Sequence, residues 1–305
     1  MCMRMDGFFV SDDNLLNFFQ ISQRLIGAVS RRSFMSIKAK KNTFFRYLPI
    51  YGCISTGLCY LGVGTIAMLS FLKVREGGAD ESSMLAIINE VIIGKILLWI
   101  IMLGAACYIV WRIFEAVTDP YGYGKDLGGI GKRSGIALST VADLLIVYAA
   151  IKVLLGIGDI QQNGEPHEER EFVSKLLDEN RGVFVLTTIG VVVLLTAVVQ
   201  LVYGVTRGYK ERLDIDRYPK AGKAIIHFLA WAGFCSRGVI VGITGFFLLK
   251  ATFSHKPEYV VNTDKAFDFI GDEVGHLYFI LIALGTVCYG VFMIIHGIAY
   301  DRDKD

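Results

Sequence analysis

Two charged residues, Asp143 and Arg237, fall inside long apolar runs of the chain. A charge at the centre of a bilayer costs about 2.5–3.5 kcal/mol even on the lenient insertion scales, so such residues mark a function or a partnered structural role. Asp143 lies nine residues into its run and Arg237 eleven into its own, from the same side. At 1.5 Å per residue these are depths of about 13 and 16 Å, near the middle of a core about 30 Å thick. The matched depth predicts an ion pair or a shared polar cavity. A static pair that fixes packing and a step on a transport route both fit that placement. Weaker candidates lie near the ends of runs: Glu90 and Lys95, with His276 in the place of Lys95 further along the chain, and Lys152 and Lys250. There a long amine reaches the interface unaided, and interfacial placement is the simpler explanation.

No other cluster has reactive spacing. Of Cys2, Cys53, Cys59, Cys107, Cys235 and Cys288, five fall inside apolar runs, and the chain has no CxxC or HxxxH pair. His167, His227, His255, His276 and His296 are scattered, so no disulfide, metal site or cofactor is expected. Ser33, Ser139, Thr140 and Ser236 have no Lys or His at nucleophile spacing. The glycine-rich segment Thr118–Gly135 contains Lys125, Lys132 and Arg133, but Lys132 is followed by Arg133 and not by Ser or Thr. It therefore reads as a turn beside anionic headgroups and not as a phosphate cradle. No catalytic residue is expected and the chain is not read as an enzyme.

The elements that must position the two charges are apolar helices. The 305 residues are 53% hydrophobic and 20% charged, with 31 basic against 29 acidic side chains. This balance excludes a disordered chain and a nucleic-acid binder. Six apolar runs have spanning length: Tyr47–Leu72, Ile87–Phe114, Ser134–Ile157, Val183–Thr206, Ile226–Phe253 and Val274–Ala299. The tails and even-numbered connections hold twenty Lys and Arg and the other three loops seven, which predicts cytoplasmic termini. No cleavable signal is expected before the first run. The N-terminal tail, 1–45, combines apolar Leu15–Ile26 with basic Arg31, Arg32, Lys38, Lys40 and Lys41. It is expected to be either an interfacial amphipathic helix that meets anionic lipid or a loose cytoplasmic tail.

The chain also slides on itself. At an offset of 181 residues, Gly52, Gly57, Gly64, Gly94 and Gly104 fall on Gly233, Gly238, Gly245, Gly275 and Gly285, and Cys107-Tyr108 on Cys288-Tyr289. Chance predicts about one such glycine coincidence. In the middle pair of runs Gly135 takes the place of Gly52, and Tyr203 with Arg207 repeats Tyr108 with Arg112. The expected organisation is therefore a tail (1–45) and three parallel two-helix units, at 46–117, 118–213 and 214–305. The expected fold is an all-α polytopic bundle of six transmembrane helices with approximate threefold pseudosymmetry. Gly52, Gly57, Gly64, Gly104, Gly233, Gly238, Gly245 and Gly285, with Tyr108, Tyr203 and Tyr289, are expected at helix–helix contacts, because in lipid small residues let backbones approach.

With these glycines, the Tyr-containing stretch Cys107–Pro120 and the Gly/Asp-containing connection after it, the chain resembles the bacterial six-helix membrane proteins called domain of unknown function 1206. The resemblance covers about residues 45 to 300. It departs in the degraded glycine pattern of the third run, and in His296 where the first unit has Glu115. It implies the fold and a bacterial cytoplasmic membrane location, and nothing about chemistry. Two functions are expected: a non-catalytic scaffold or accessory subunit with a membrane or cytoplasmic partner, or a solute or ion pathway near Asp143 and Arg237. The ends of the first, third and fifth runs lack the Px[DE]xx[KR] signature of mitochondrial-type carriers, which argues against that class.

Overall fold

The computed structural model describes residues 43–73, 79–89, 92–119, 124, 126–156, 164–211, 213 and 218–299, some of them by backbone alone. The chain divides into two units, 1–45 and 46–305, and nearly all described residues belong to the second. The expected amphipathic segment Leu15–Ile26 lies outside the described residues.

Among the described residues the α-helices are α1 (Thr43–Phe71), α2 (Glu81–Asn89), α3 (Ile92–Thr118), α4 (Leu127–Leu155), α5 (His167–Leu177), α6 (Gly182–Thr206), α7 (Lys220–Ser254), α8 (Thr263–Phe269) and α9 (His276–Ile298). A long, a short and a long helix follow one another three times. Local signals set the ends. Asp126 caps α4 by accepting from the Gly129 N–H at 3.3 Å, and Gly156 ends it at φ 63°, where a side chain would be strained. Asn262 caps α8 by accepting from the Lys265 N–H at 3.0 Å. In α5, Glu168 and Glu169 occupy the first turn and Lys175 the last, matching the helix dipole.

Among the described residues, five helices are long and apolar enough to cross a membrane: Tyr47–Phe71, Gly94–Thr118, Gly182–Thr206, Lys220–Ser254 and His276–Ile298. The third expected run is helical over 29 residues as α4, but it is not among the five. One boundary needs correction. Ile87 belongs to the short α2 and not to the spanning helix that follows. The apolar run is broken near Gly94, where an added Cβ would overlap the Ile88 carbonyl, so only glycine fits this corner. Gly275, its counterpart before α9, takes φ 124°.

The repeat glycines lie at close helix crossings. In α1 against α3, a Cβ on Gly52 would fall 2.6 Å from the Tyr108 ring, and one on Gly104 2.6 Å from the Ser55 Cβ. In α7 against α9, a Cβ on Gly233 would fall 2.5 Å from the Tyr289 Cα, and one on Gly285 2.7 Å from the Ser236 Cβ. The tyrosines thus cover a glycine of the facing helix and not the one four residues before them. Gly57 and Gly64 abut Gly290 and Val287 of α9, while Gly238 and Gly245 abut Leu201 and Leu194 of α6. Helices α3 and α4 are also neighbours. Tyr203 meets Phe234 of α7 edge-on at 4.9 Å.

Candidate functional site

Arg237, midway along α7, is 7% exposed. One of its guanidinium nitrogens donates to the Tyr289 hydroxyl of α9 at 2.5 Å. The group lies 4.7 Å from the Tyr60 ring centroid and 5.0 Å from that of Tyr289, and the two rings meet edge-to-face at 5.1 Å. Two aromatic faces and a charge-assisted hydrogen bond thus replace water around the cation. The helices reach this contact because Gly233 lets Tyr289 approach α7.

Glu81, at the first turn of α2, and Thr263, at the first turn of α8, line the same small cavity as Arg237, Tyr60, Thr286 and Tyr289. Its volume is about 30 Å³, which is room for about one water. The Thr263 hydroxyl donates to the Glu81 carboxylate at 3.0 Å, and the Ala79 N–H donates to the Asp264 carboxylate at 2.5 Å. These two bonds run in opposite senses between the segments that begin α2 and α8 and tie the short helices together over the cavity. Asp80 caps α2 by accepting from the Ser82 and Ser83 N–H groups at 3.0 and 3.2 Å. Met84, Leu85, Ala266 and Phe267 are fully buried beneath, so both short helices pack into one end of the bundle.

Burial pushes the Glu81 carboxyl up, against the helix N–H groups and Thr263 that favour its charge. Burial likewise pushes Asp264 up to about 6, with Asp268 and Asp80 adding to the effect and the Ala79 N–H opposing it. Glu169 of α5 is raised for the same reason. The arrangement holds a buried cation beside carboxyls whose proton affinity burial raises. Among the described residues no group of three or more His, Cys, Asp or Glu is placed to hold a metal.

The Asp143 side chain lies outside the described residues, as does Glu90, so the expected pairing of Asp143 with Arg237 does too. Lys95 is exposed, and His276 is exposed with its ring 5.6 Å from that of Phe71. Lys152 is buried, and its ammonium is ion-paired with the half-exposed Glu168 of α5. Glu115 and His296, the repeat counterparts, are both buried; Glu115 is 3.5 Å from Arg112 and His296 packs on Phe292. The glycine-rich segment expected as a turn is helical from Leu127 on, and Arg133 of α4 donates to the Ala116 and Val117 carbonyls at 2.8 and 2.9 Å, capping the end of α3. Sequence reasoning did not single out Tyr60, Glu81, Thr263 or Asp264. The available signal was two short capped helix starts, at Asp80 and at Asn262, in corresponding loops.

Long apolar helices joined through glycines, with one charge wrapped in aromatic rings, define a helical protein of the membrane-spanning type. Within that class, the family described as Domain of Unknown Function (DUF1206) matches the chain twice, over residues 51–119 and 232–299. The resemblance to that family is therefore shown, and the two matches begin 181 residues apart, the offset at which the glycines coincide. The chain is also 24% identical over 272 residues to the uncharacterized protein YxxB of Bacillus subtilis (strain 168), covering 89% of this chain and 97% of that one. No solved structure matches.

Proposed function

We propose that the chain is a non-catalytic scaffold or accessory subunit, built as six spanning helices in three parallel pairs with approximate threefold pseudosymmetry. It would lie in the bacterial cytoplasmic membrane with both termini inside. The carrying observation is the cyclic order of glycine contacts. The first helix of the first pair packs on the second helix of the last pair (Gly57 on Gly290), and the first of the last pair packs on the second of the middle pair (Gly238 on Leu201). The adjacency of α3 and α4 supplies the third step. Interfaces of this kind suit a rigid platform. The partners in this reading are the bilayer, anionic lipid at the basic tail, and a membrane or cytoplasmic protein.

Native co-purification tests it. A stoichiometric protein partner is expected, and repeated isolation of the chain alone would count against the reading. One observation favours a solute or ion pathway near Arg237 and Asp143: Arg237 and Glu81 share one cavity. Flux of a small solute or ion in proteoliposomes, abolished by Arg237→Met, would establish that second reading and remove the first.

A further inference from the structure

A second cavity lies on the outside of the bundle, between α6 and α7. It is an open groove of about 450 Å³, in the size range of ligand clefts, about 300–1,000 Å³. Its walls are apolar: Leu194, Ala197 and Leu201 on one side, Gly238, Gly242 and Phe247 on the other. From Gly238 to Phe247 is about 14 Å at 1.5 Å per residue, close to half of a hydrocarbon core about 30 Å thick. Lys250, one turn beyond Phe247 toward the outer end of α7, is exposed. Its ammonium lies 5.3 Å from the Phe247 ring centroid and 4.4 Å from that of Tyr259, and Lys256 approaches the same Tyr259 ring at 5.9 Å. An apolar slot one leaflet deep thus ends at a pair of cations on an aromatic shelf.

The first pair lacks this arrangement. At the 181-residue offset Gly242 corresponds to Leu61 and Lys250 to Leu69. Leu61 abuts Gly290 and occupies the position that Gly242 leaves empty. A Cβ on Gly242 would meet only Ala197, at an ordinary 3.6 Å, so close helix approach does not require a glycine there. The two differences fall at the floor and the mouth of one groove.

We infer that the α6–α7 groove is a specific site for one anionic phospholipid of the outer leaflet, its acyl chain along Gly242 and its phosphate at Lys250. The inference rests on the membrane-spanning reading of these helices. Burying methylenes in the slot adds little over bulk lipid, which is equally apolar, so selectivity must come from the headgroup and occupancy from the shape.

The test uses the full chain, first floated with vesicles of phosphatidylcholine and phosphatidylglycerol in a 3:1 ratio, then delipidated in detergent and titrated with each lipid by native mass spectrometry. One phosphatidylglycerol is expected to bind at least fivefold tighter than phosphatidylcholine. Lys250→Gln should abolish that preference, Gly242→Leu should abolish the single tight site, and Lys95→Gln, an exposed lysine away from the groove, should leave both unchanged. Equal affinity for the two lipids, or an undiminished preference in Lys250→Gln, overturns the site. Failure to float with vesicles overturns the membrane reading instead. Because Lys250 is exposed, its variant keeps the test decisive even if Gly242→Leu misfolds.

Discussion

The Arg237 guanidinium donates to the Tyr289 hydroxyl while lying over the face of that same tyrosine ring. The ring supplies a cation–π face and the hydroxyl a directed acceptor, so the two contributions separate by mutation. Tyr289→Phe keeps the face and removes the acceptor from a buried charge, and is expected to cost about 1.5–3 kcal/mol. Arg237→Met removes the charge at similar volume and should cost less, because no uncompensated cation is left behind. The double variant should be no less stable than Arg237→Met alone. Thermal unfolding in detergent measures all three, and additive losses would rule out the coupling.

Gly285 faces Ser236 so closely that an added Cβ would overlap the serine hydroxyl and fall 2.7 Å from its Cβ. Gly285→Ala is therefore expected to destabilise by about 1–3 kcal/mol through overpacking. Ser236→Gly removes both obstructing atoms, leaving the Ala232 carbonyl at 3.0 Å. The pair Gly285→Ala with Ser236→Gly should recover part of the loss. Gly131→Ala, with nothing within 4 Å, should be neutral or slightly stabilising, since it sits in a helix. A double variant as unstable as Gly285→Ala would show that the clash lies elsewhere.

Helices and their crossings were legible in sequence because they depend on local pattern. Apolar runs of spanning length mark the long helices, and a close crossing in lipid needs a small residue, so Gly52, Gly57, Gly233 and Gly238 could be read as contacts. The end of α2 was hidden because Asn89 and Glu90 interrupt the apolar pattern for only two residues between Ile88 and the run of α3. The surroundings of Arg237 were also hidden. Its partners Tyr60 and Tyr289 are ordinary aromatic members of apolar runs, and only the tertiary crossing brings them to the charge. Glu81 and Thr263 are 182 residues apart, at the starts of two short helices whose hydrogen bond no local period encodes.

The positive-inside count predicts which surface each connection faces, and cysteine labelling checks it. In a background without its own cysteines, Glu168→Cys in α5 should react with an impermeant maleimide added to intact cells. Asp126→Cys, at the start of α4, should react only after permeabilisation. Both positions are exposed, so access and not burial decides the outcome. The reverse pattern would invert the topology.

Asp264 should make stability fall as pH rises through the mildly acidic range. Its carboxyl gives up its proton near 3.8 when solvated and near 6 in the fold, where burial dominates and Asp268, Asp80 and Lys265 face it. Between those values the folded chain binds more protons than the unfolded one, so unfolding free energy decreases with pH and levels off above about 6. Two units correspond to about 3 kcal/mol. Glu81 and Glu169, also raised by burial, act in the same sense. Glu165 opposes them: its hydrogen bond with Lys265 lowers its carboxyl, so its contribution is present above its ordinary value and lost as pH falls. Asp264→Asn keeps an oxygen for the Ala79 N–H and removes the charge. It should therefore be more stable than the parent at pH 7 and show a flatter dependence between pH 4 and 6. Melting temperatures across that range decide the matter, and an unchanged slope in Asp264→Asn would mean that another group sets the response.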